Sequence, residues 1–295
     1  MALALITRFT FQEAIRRRLF LAVLILSALL LVAFITLLSI AINLIQSNSS
    51  TANGGTLSPH LFLLSGGVFF DILMIWLVYL LSSLLTIVLT ANMISGEVEA
   101  GTFAVIVPKP ISRAEIVLGK WLGCALILAI YTALMFFALL AIIYWKTGYW
   151  PEQVLSALGT LELAMLALLG LTTIGSAFVP TIVNGAIVLV LFIVAPIASI
   201  VQFVVQVIRP TQSQALQNIG TVINLIIPTD ALWHGTSFFL LPSAQIFPLL
   251  GLSTNSFNTP FTATQPVAPA LLIWVAFYIL VLPLIAVVRF QRRDL

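Results

Sequence analysis

The chain has 295 residues, of which 61% are hydrophobic and only 7% charged, with a mean hydropathy of +1.20. That composition excludes a soluble globular domain and describes an integral membrane protein with little mass outside the bilayer. The net charge of +3 does not point to nucleic acid, because the basic residues sit at the ends of apolar runs, where they set orientation in a membrane. The single cysteine, Cys124, excludes an intrachain disulfide and reads as a small core hydrophobe.

Residues 1–18, MALALITRFTFQEAIRRR, set Leu5, Phe9, Phe11 and Ile15 against Arg8, Gln12, Glu13 and the triplet Arg16-Arg17-Arg18. This fits an amphipathic helix in the membrane interface, its arginines at the cytoplasmic surface. A disordered basic tail that only fixes topology is the alternative. The apolar run that follows is too long for a cleavable signal peptide and lacks a small-residue cleavage site. Span 1 is expected over about 19–43, and the Ser, Asn, Thr and Gly of 46–58 mark an exposed loop. Span 2 follows over about 68–94, with Asp71 near its outer end as a cap or snorkelling group.

The stretch 92–120, NMISGEVEAGTFAVIVPKPISRAEIVLGK, is a polar hairpin between two uncharged runs. Each run exceeds the ~20 residues that cross a ~30 Å hydrocarbon core. Glu97 to Val107 reads as a short helix, and Pro108 and Pro110 end it. Ser112-Arg113-Ala114-Glu115 is a capping box that starts span 3 at Arg113, running to about 143. Glu97 and Glu99 allow two readings. They lie in the first helical turn, where the helix dipole favours carboxylates. They also flank Phe103, Val105 and Ile106, apolar residues that a small exposed loop keeps only for a partner.

Four aromatics in the seven residues Tyr144–Trp150 mark a membrane–water interface. Pro151 suits the first turn of span 4, about 151–178, which carries Glu162 near mid-membrane. A carboxylate at that depth is expensive, so it either lines a cavity or is protonated or bonded within the bundle. Pro180 and Asn184-Gly185 allow a tight reversal into span 5, about 182–207. From 209 to 269 the chain stays apolar but is broken by seven prolines. Its segments 214–227 and 231–241 suit interfacial or re-entrant helices better than full spans. Span 6, about 270–288, ends in Arg289, Arg292 and Arg293. The expected fold is therefore an all-α integral membrane protein, a single domain over 1–295 with six transmembrane helices, an N-terminal amphipathic interfacial helix and a short cytoplasmic helix in the hairpin.

Six spans put both termini, the hairpin and the 179–181 turn on one side, with ten of the Lys and Arg residues. Lys146 and Arg209 fall on the other. The asymmetry assigns the first side to the cytoplasm. No catalytic set assembles: there is no H-E-x-x-H, no G-x-S-x-G and no phosphate-binding glycine loop. His234 has Asp230 four residues earlier, enough for a polar contact and too little for a metal site.

The strings Ile94–Thr102, Pro108–Arg113 and Ile116–Gly123 resemble the permease subunits of type-2 ATP-binding-cassette (ABC) exporters, more closely the branch with the nitrous-oxide-reductase maturation permease. The resemblance extends more loosely to residues 1–18, to the span order and to Pro228–Trp233. It implies that Glu97–Val107 is a coupling helix docking on a nucleotide-binding subunit, with Glu97, Glu99, Thr102, Phe103 and Ile106 as its contacts. It implies a gate helix at 1–18, with spans 2 and 5 walling a cavity. It also implies two ATPase subunits that bind ATP and Mg, a second permease subunit, identical or homologous, and a place in the cell membrane among its lipids. The chain itself would bind no cofactor and would not be an enzyme. The turn Phe178-Val179-Pro180-Thr181 departs from the family in lacking a basic residue. Two rival classes remain: a membrane scaffold or assembly subunit, and a stand-alone secondary carrier. The carrier would need coupling charges and often a repeat, and only Glu162 is present.

The charge asymmetry predicts that Asn53 and Thr254 face outward while Lys109 and Leu295 face the cytoplasm. Cysteines placed singly at these sites in a Cys124→Ser background should react with an impermeant thiol reagent in intact cells only at the first two. Labelling of Lys109→Cys overturns the orientation.

Overall fold

The computed structural model describes residues 2–16, 18–49, 59–91, 93–96, 112–208, 214–242, 259–263 and 265–292. The described residues are helical with short connections and no strand. The helices are α1 (Ala2–Arg16), α2 (Arg18–Ser49), α3 (Pro59–Thr90), α4 (Arg113–Thr147), α5 (Val154–Phe178), α6 (Thr181–Ile208), α7 (Gln214–Ile226), α8 (Thr229–Leu240) and α9 (Pro269–Gln291). Six of them, α2 to α6 and α9, are long and apolar enough to cross a membrane. The protein is an all-α integral membrane protein.

α4 shows how local sequence sets the ends. Ser112 caps its N-terminus through the reciprocal bonds with Glu115, and Gly148 closes its C-terminus at φ 73 with its N–H on the Tyr144 carbonyl. α5 begins at Val154, three residues past the expected Pro151, because Tyr149 and Pro151 are buried as an irregular link. Burial pushes the Tyr149 hydroxyl above its ordinary range, with Asp71 and Glu152 adding to the effect. The phenol therefore stays protonated and donates to the Leu240 carbonyl.

α3 and α5 meet α4 along a continuous apolar core that includes Leu85, Phe136, Leu139, Leu161 and Leu168. α1 lies against the first turns of α4. There Thr7 donates to the Gly119 carbonyl at 3.1 Å. A Cβ added at Gly123 would stand 2.8 Å from the Thr10 Cβ, so the glycine permits this close approach.

Asp71 is neither cap nor snorkelling group. α3 starts at Pro59, which suits a helix first turn. Asp71 is thus well inside the helix, fully buried, and neither oxygen has a hydrogen-bond partner among the described residues.

Gly123→Leu should overpack this contact at a cost of about 1–3 kcal/mol. Hydrogen exchange should accelerate in α1 while α5 keeps its protection.

Candidate functional site

The hairpin leaves the membrane at the end of α3. That helix ends at Thr90, not at the expected 94, and residues 91, 93 and 94 turn. The last carbonyls of a helix have no partner within it, and here side chains from two other helices supply donors. Asn184 of α6 donates to the Ala91 carbonyl at 3.1 Å and to the Thr172 carbonyl at 3.0 Å. Lys120 of α4 donates to the Met93 carbonyl at 3.2 Å. Ser95 donates to the Ala91 carbonyl at 3.2 Å and shares a hydrogen bond with Thr181 at 2.9 Å. The returning root is fixed as firmly. Arg113 donates to the carbonyls of Phe290 and Gln291 at 3.2 and 3.3 Å and lies over the Phe290 ring. Both roots are therefore tied to α4, the descending one also to α6 and the returning one to α9.

Residues 97–111 lie outside the described residues, and with them Glu97, Glu99, Thr102, Phe103 and Ile106. Arg17 and the side chains of Arg16 and Arg18 do so as well. Asn184, expected in a reversal, is helical and buried in the first turn of α6; the reversal is complete at Val179-Pro180. A buried asparagine within a helix needs partners, and the two carbonyls provide them.

A second polar cluster lies deep in the bundle. Tyr278 donates to the Ile226 carbonyl at 2.7 Å, and Trp274 to the Leu225 carbonyl at 2.9 Å. Tyr278 is nine residues into α9, or about 14 Å at 1.5 Å per residue. Ser199, nine residues before the end of α6, donates to the Asp230 carboxylate. The elbow between α7 and α8 therefore lies about 14 Å along the neighbouring spans from their ends. α8 climbs back along α5, with Thr236 bonded to Thr160 at 3.0 Å. The two helices form a hairpin packed against the spans.

At the elbow, Asp230 stands in the first turn of α8, where the helix dipole favours its charge. Its carboxylate is 3.6 Å from His234 Nδ1, whose Nε2 lies 3.0 Å from the Pro260 carbonyl oxygen. Tyr79 stacks between Phe192 and Trp233 and keeps its hydroxyl buried beside this group. Beyond it, Phe69, Leu73 and Trp76 of α3 with Trp233 and Phe261 line a pocket of about 320 Å³. Glu162 does not line that pocket. It stands half-buried on the outward face of α5, near the exposed Leu155, with one oxygen buried and unpartnered. Ser199 and Tyr79 carry no sequence signal, since one hydroxyl in an apolar span looks like any other. The described residues contain no cluster of three His, Cys, Asp or Glu side chains that could hold a metal.

Six apolar helices of spanning length define a multi-pass membrane protein. The family model described as ABC-2 family transporter protein matches residues 5–295, and the chain belongs to that family. It is the membrane subunit type of an ABC transporter, a permease whose family associates with ATP-binding subunits. No curated protein matches the chain.

Asp230→Ala should cost about 2 kcal/mol, because it removes the acceptor of buried Ser199 and the polar neighbour of His234. Asp230→Asn keeps an acceptor and should cost less than half as much. Unfolding in mixed micelles followed by circular dichroism measures both; equal losses refute the role assigned to the carboxylate.

Proposed function

We propose that this chain forms the substrate pathway of an ATP-driven exporter in the cell membrane, coupled to its ATPases through residues 97–107. The observation that carries the proposal is the clamping of both hairpin roots. A push on a short helix is transmitted only if its ends are tied to the spans, and here they are tied to α4, α6 and α9. In this reading two cytoplasmic ATPase subunits bind ATP and Mg and dock on the hairpin. A second permease subunit, identical or homologous, completes the pathway. The extensive exposed apolar face of α6, including Ile187, Val190, Ile197 and Val201, suits such a neighbour or lipid. The likeness of the 94–123 strings supports export and the branch of the nitrous-oxide-reductase maturation permease. The termini and the hairpin are assigned to the cytoplasm by the Lys and Arg asymmetry.

If residues 97–107 form the helix expected from the sequence, Phe103 and Ile106, three residues apart, share a face, which makes them the natural knob for an ATPase groove. Truncating a buried aromatic anchor costs about 2 kcal/mol, roughly thirtyfold in affinity, whereas a rim charge acts mainly on association rate. Phe103→Ala should therefore lose ATPase subunit and transport more severely than Glu99→Gln, at an unchanged amount of membrane protein. Lys146→Ala, at the far end of α4, should do neither. The ATPase rate of the purified complex and the ATPase subunit retained on it are the readouts. A full complement of ATPase with normal transport in Phe103→Ala sinks the coupling role.

A further inference from the structure

His234 stands between two acceptors. Its Nε2 lies 3.0 Å from the Pro260 carbonyl oxygen, and its Nδ1 lies 3.6 Å from the Asp230 carboxylate oxygen that also meets Ser199. A neutral imidazole has one N–H, and neither a carbonyl nor an ionised carboxylate brings a proton of its own. With both groups in those forms, one ring nitrogen must turn its lone pair on an oxygen. Both contacts are satisfied only when the pair holds one further proton, as imidazolium against carboxylate or as a carboxyl facing the neutral ring.

Pro260 belongs to a short segment that α8 holds at three points. Trp233 Nε1 donates to the Phe261 carbonyl at 2.8 Å, His234 meets the Pro260 carbonyl, and the Ala263 N–H donates to Ser237 Oγ at 3.1 Å. So held, Phe261 stands edge-on to Trp76 of α3, ring centroids 5.4 Å apart. With Thr259 and Thr262 it walls the 320 Å³ pocket on the side opposite α3. Of the three ties, only the one through His234 depends on a group that titrates in the neutral range.

We propose that Asp230 and His234 form a proton-binding site that latches residues 259–263 in place as a wall of this pocket. When the extra proton leaves, the remaining N–H goes to the carboxylate, because a charge-assisted hydrogen bond is the stronger. Nε2 is then a bare acceptor facing the Pro260 carbonyl, and the segment is pushed off. The latched arrangement binds one proton more than the released one, so latching is favoured at low pH and lost as pH rises. The partly exposed His234 ring, 23% accessible, gives the proton its way in.

Few other charges face the pair. α8 packs against α3, α5, α6 and α7. α6, α7 and residues 259–263 carry no titratable side chain. α5 carries only Glu162, on its outward face. α3 brings Tyr79 beside the pair; Asp71 is eight residues, about 12 Å, further along that helix, and His60 about 28 Å. The proton site stands apart from the coupling role of residues 97–107.

The test is hydrogen exchange of the purified chain in detergent micelles. Protection of the Ala263 amide is taken relative to an unfolded peptide at the same pH, so that the intrinsic pH dependence of exchange cancels. In the wild-type chain it should fall about tenfold from about pH 5 to about pH 8, while α5 keeps its protection. Asp230→Asn replaces the proton with an amide N–H for Nδ1 and should hold the acid level throughout. His234→Phe keeps a ring without its nitrogens and should give low protection at both ends. Wild-type protection that does not change with pH overturns the proposal, and this reading needs no variant to fold. A pH dependence that survives in His234→Phe with α5 still protected overturns it too.

Discussion

Inside hydrocarbon there is no water to accept or donate, so every helix end placed there must find its partners in the protein. That constraint accounts for a set of the polar side chains this chain carries in its apolar body, though not for Asp71 or Glu162. The carbonyls at the end of α3 are met by Asn184, Lys120 and Ser95. Those at the α7 end of the elbow are met by Trp274 and Tyr278. Each donor comes from a different helix or from beyond the break, so satisfying a backbone group also ties two elements together. The polar residues are thus the joints of the bundle, while its apolar packing supplies most of the contact area.

The hairpin roots and the α7–α8 elbow solve the same problem at different places in the bundle. At the roots the ties converge on a segment that leaves the membrane, so a displacement outside is shared among α3, α4, α6 and α9. At the elbow the ties close the break between α7 and α8. Ser199 joins α6 to the start of α8, and Thr160 joins α5 further along. α6 is therefore held at both sites, through Asn184 at one end and Ser199 nearer the other.

The fold was legible because its dominant signal is length of apolar run, which a ~30 Å core fixes with little ambiguity. The start of α4 was legible for a different reason: Ser112 and Glu115 form a local motif whose bonds need no tertiary partner. What tertiary contact decides was not. α3 stops at Thr90, and the carbonyls of Ala91 and Met93 just past it are taken by donors on α6 and α4 that are 27 or more residues away in sequence. Asn184 beside Gly185 looks like turn chemistry, yet it is a helical clamp. The depth of Glu162 could be counted along the chain; the direction it faces depends on how α5 is rotated in the bundle. Tyr79 and Ser199 gain meaning only when α3, α6 and α8 are brought together.

The same distinction separates the parts that can move from those that cannot. α3 has 67% of its most apolar window buried and α4 and α5 have 50%, whereas α2 and α6 have 17%. The first three share the core around Phe136, Leu139 and Leu168, and shifting one past another would open voids lined by large side chains. α6 touches that core mainly through Val188 and Phe192 and is otherwise held by the polar ties at its two ends. It also contains Pro196, about one turn before Ser199, which leaves the Phe192 carbonyl without its helical bond. A helix with little core contact, discrete end ties and an interrupted hydrogen-bond ladder between them is the element that can tilt at least cost. Asn184 links it to the carbonyl from which the hairpin departs, so one of the two helices least held by packing is tied directly to the hairpin root.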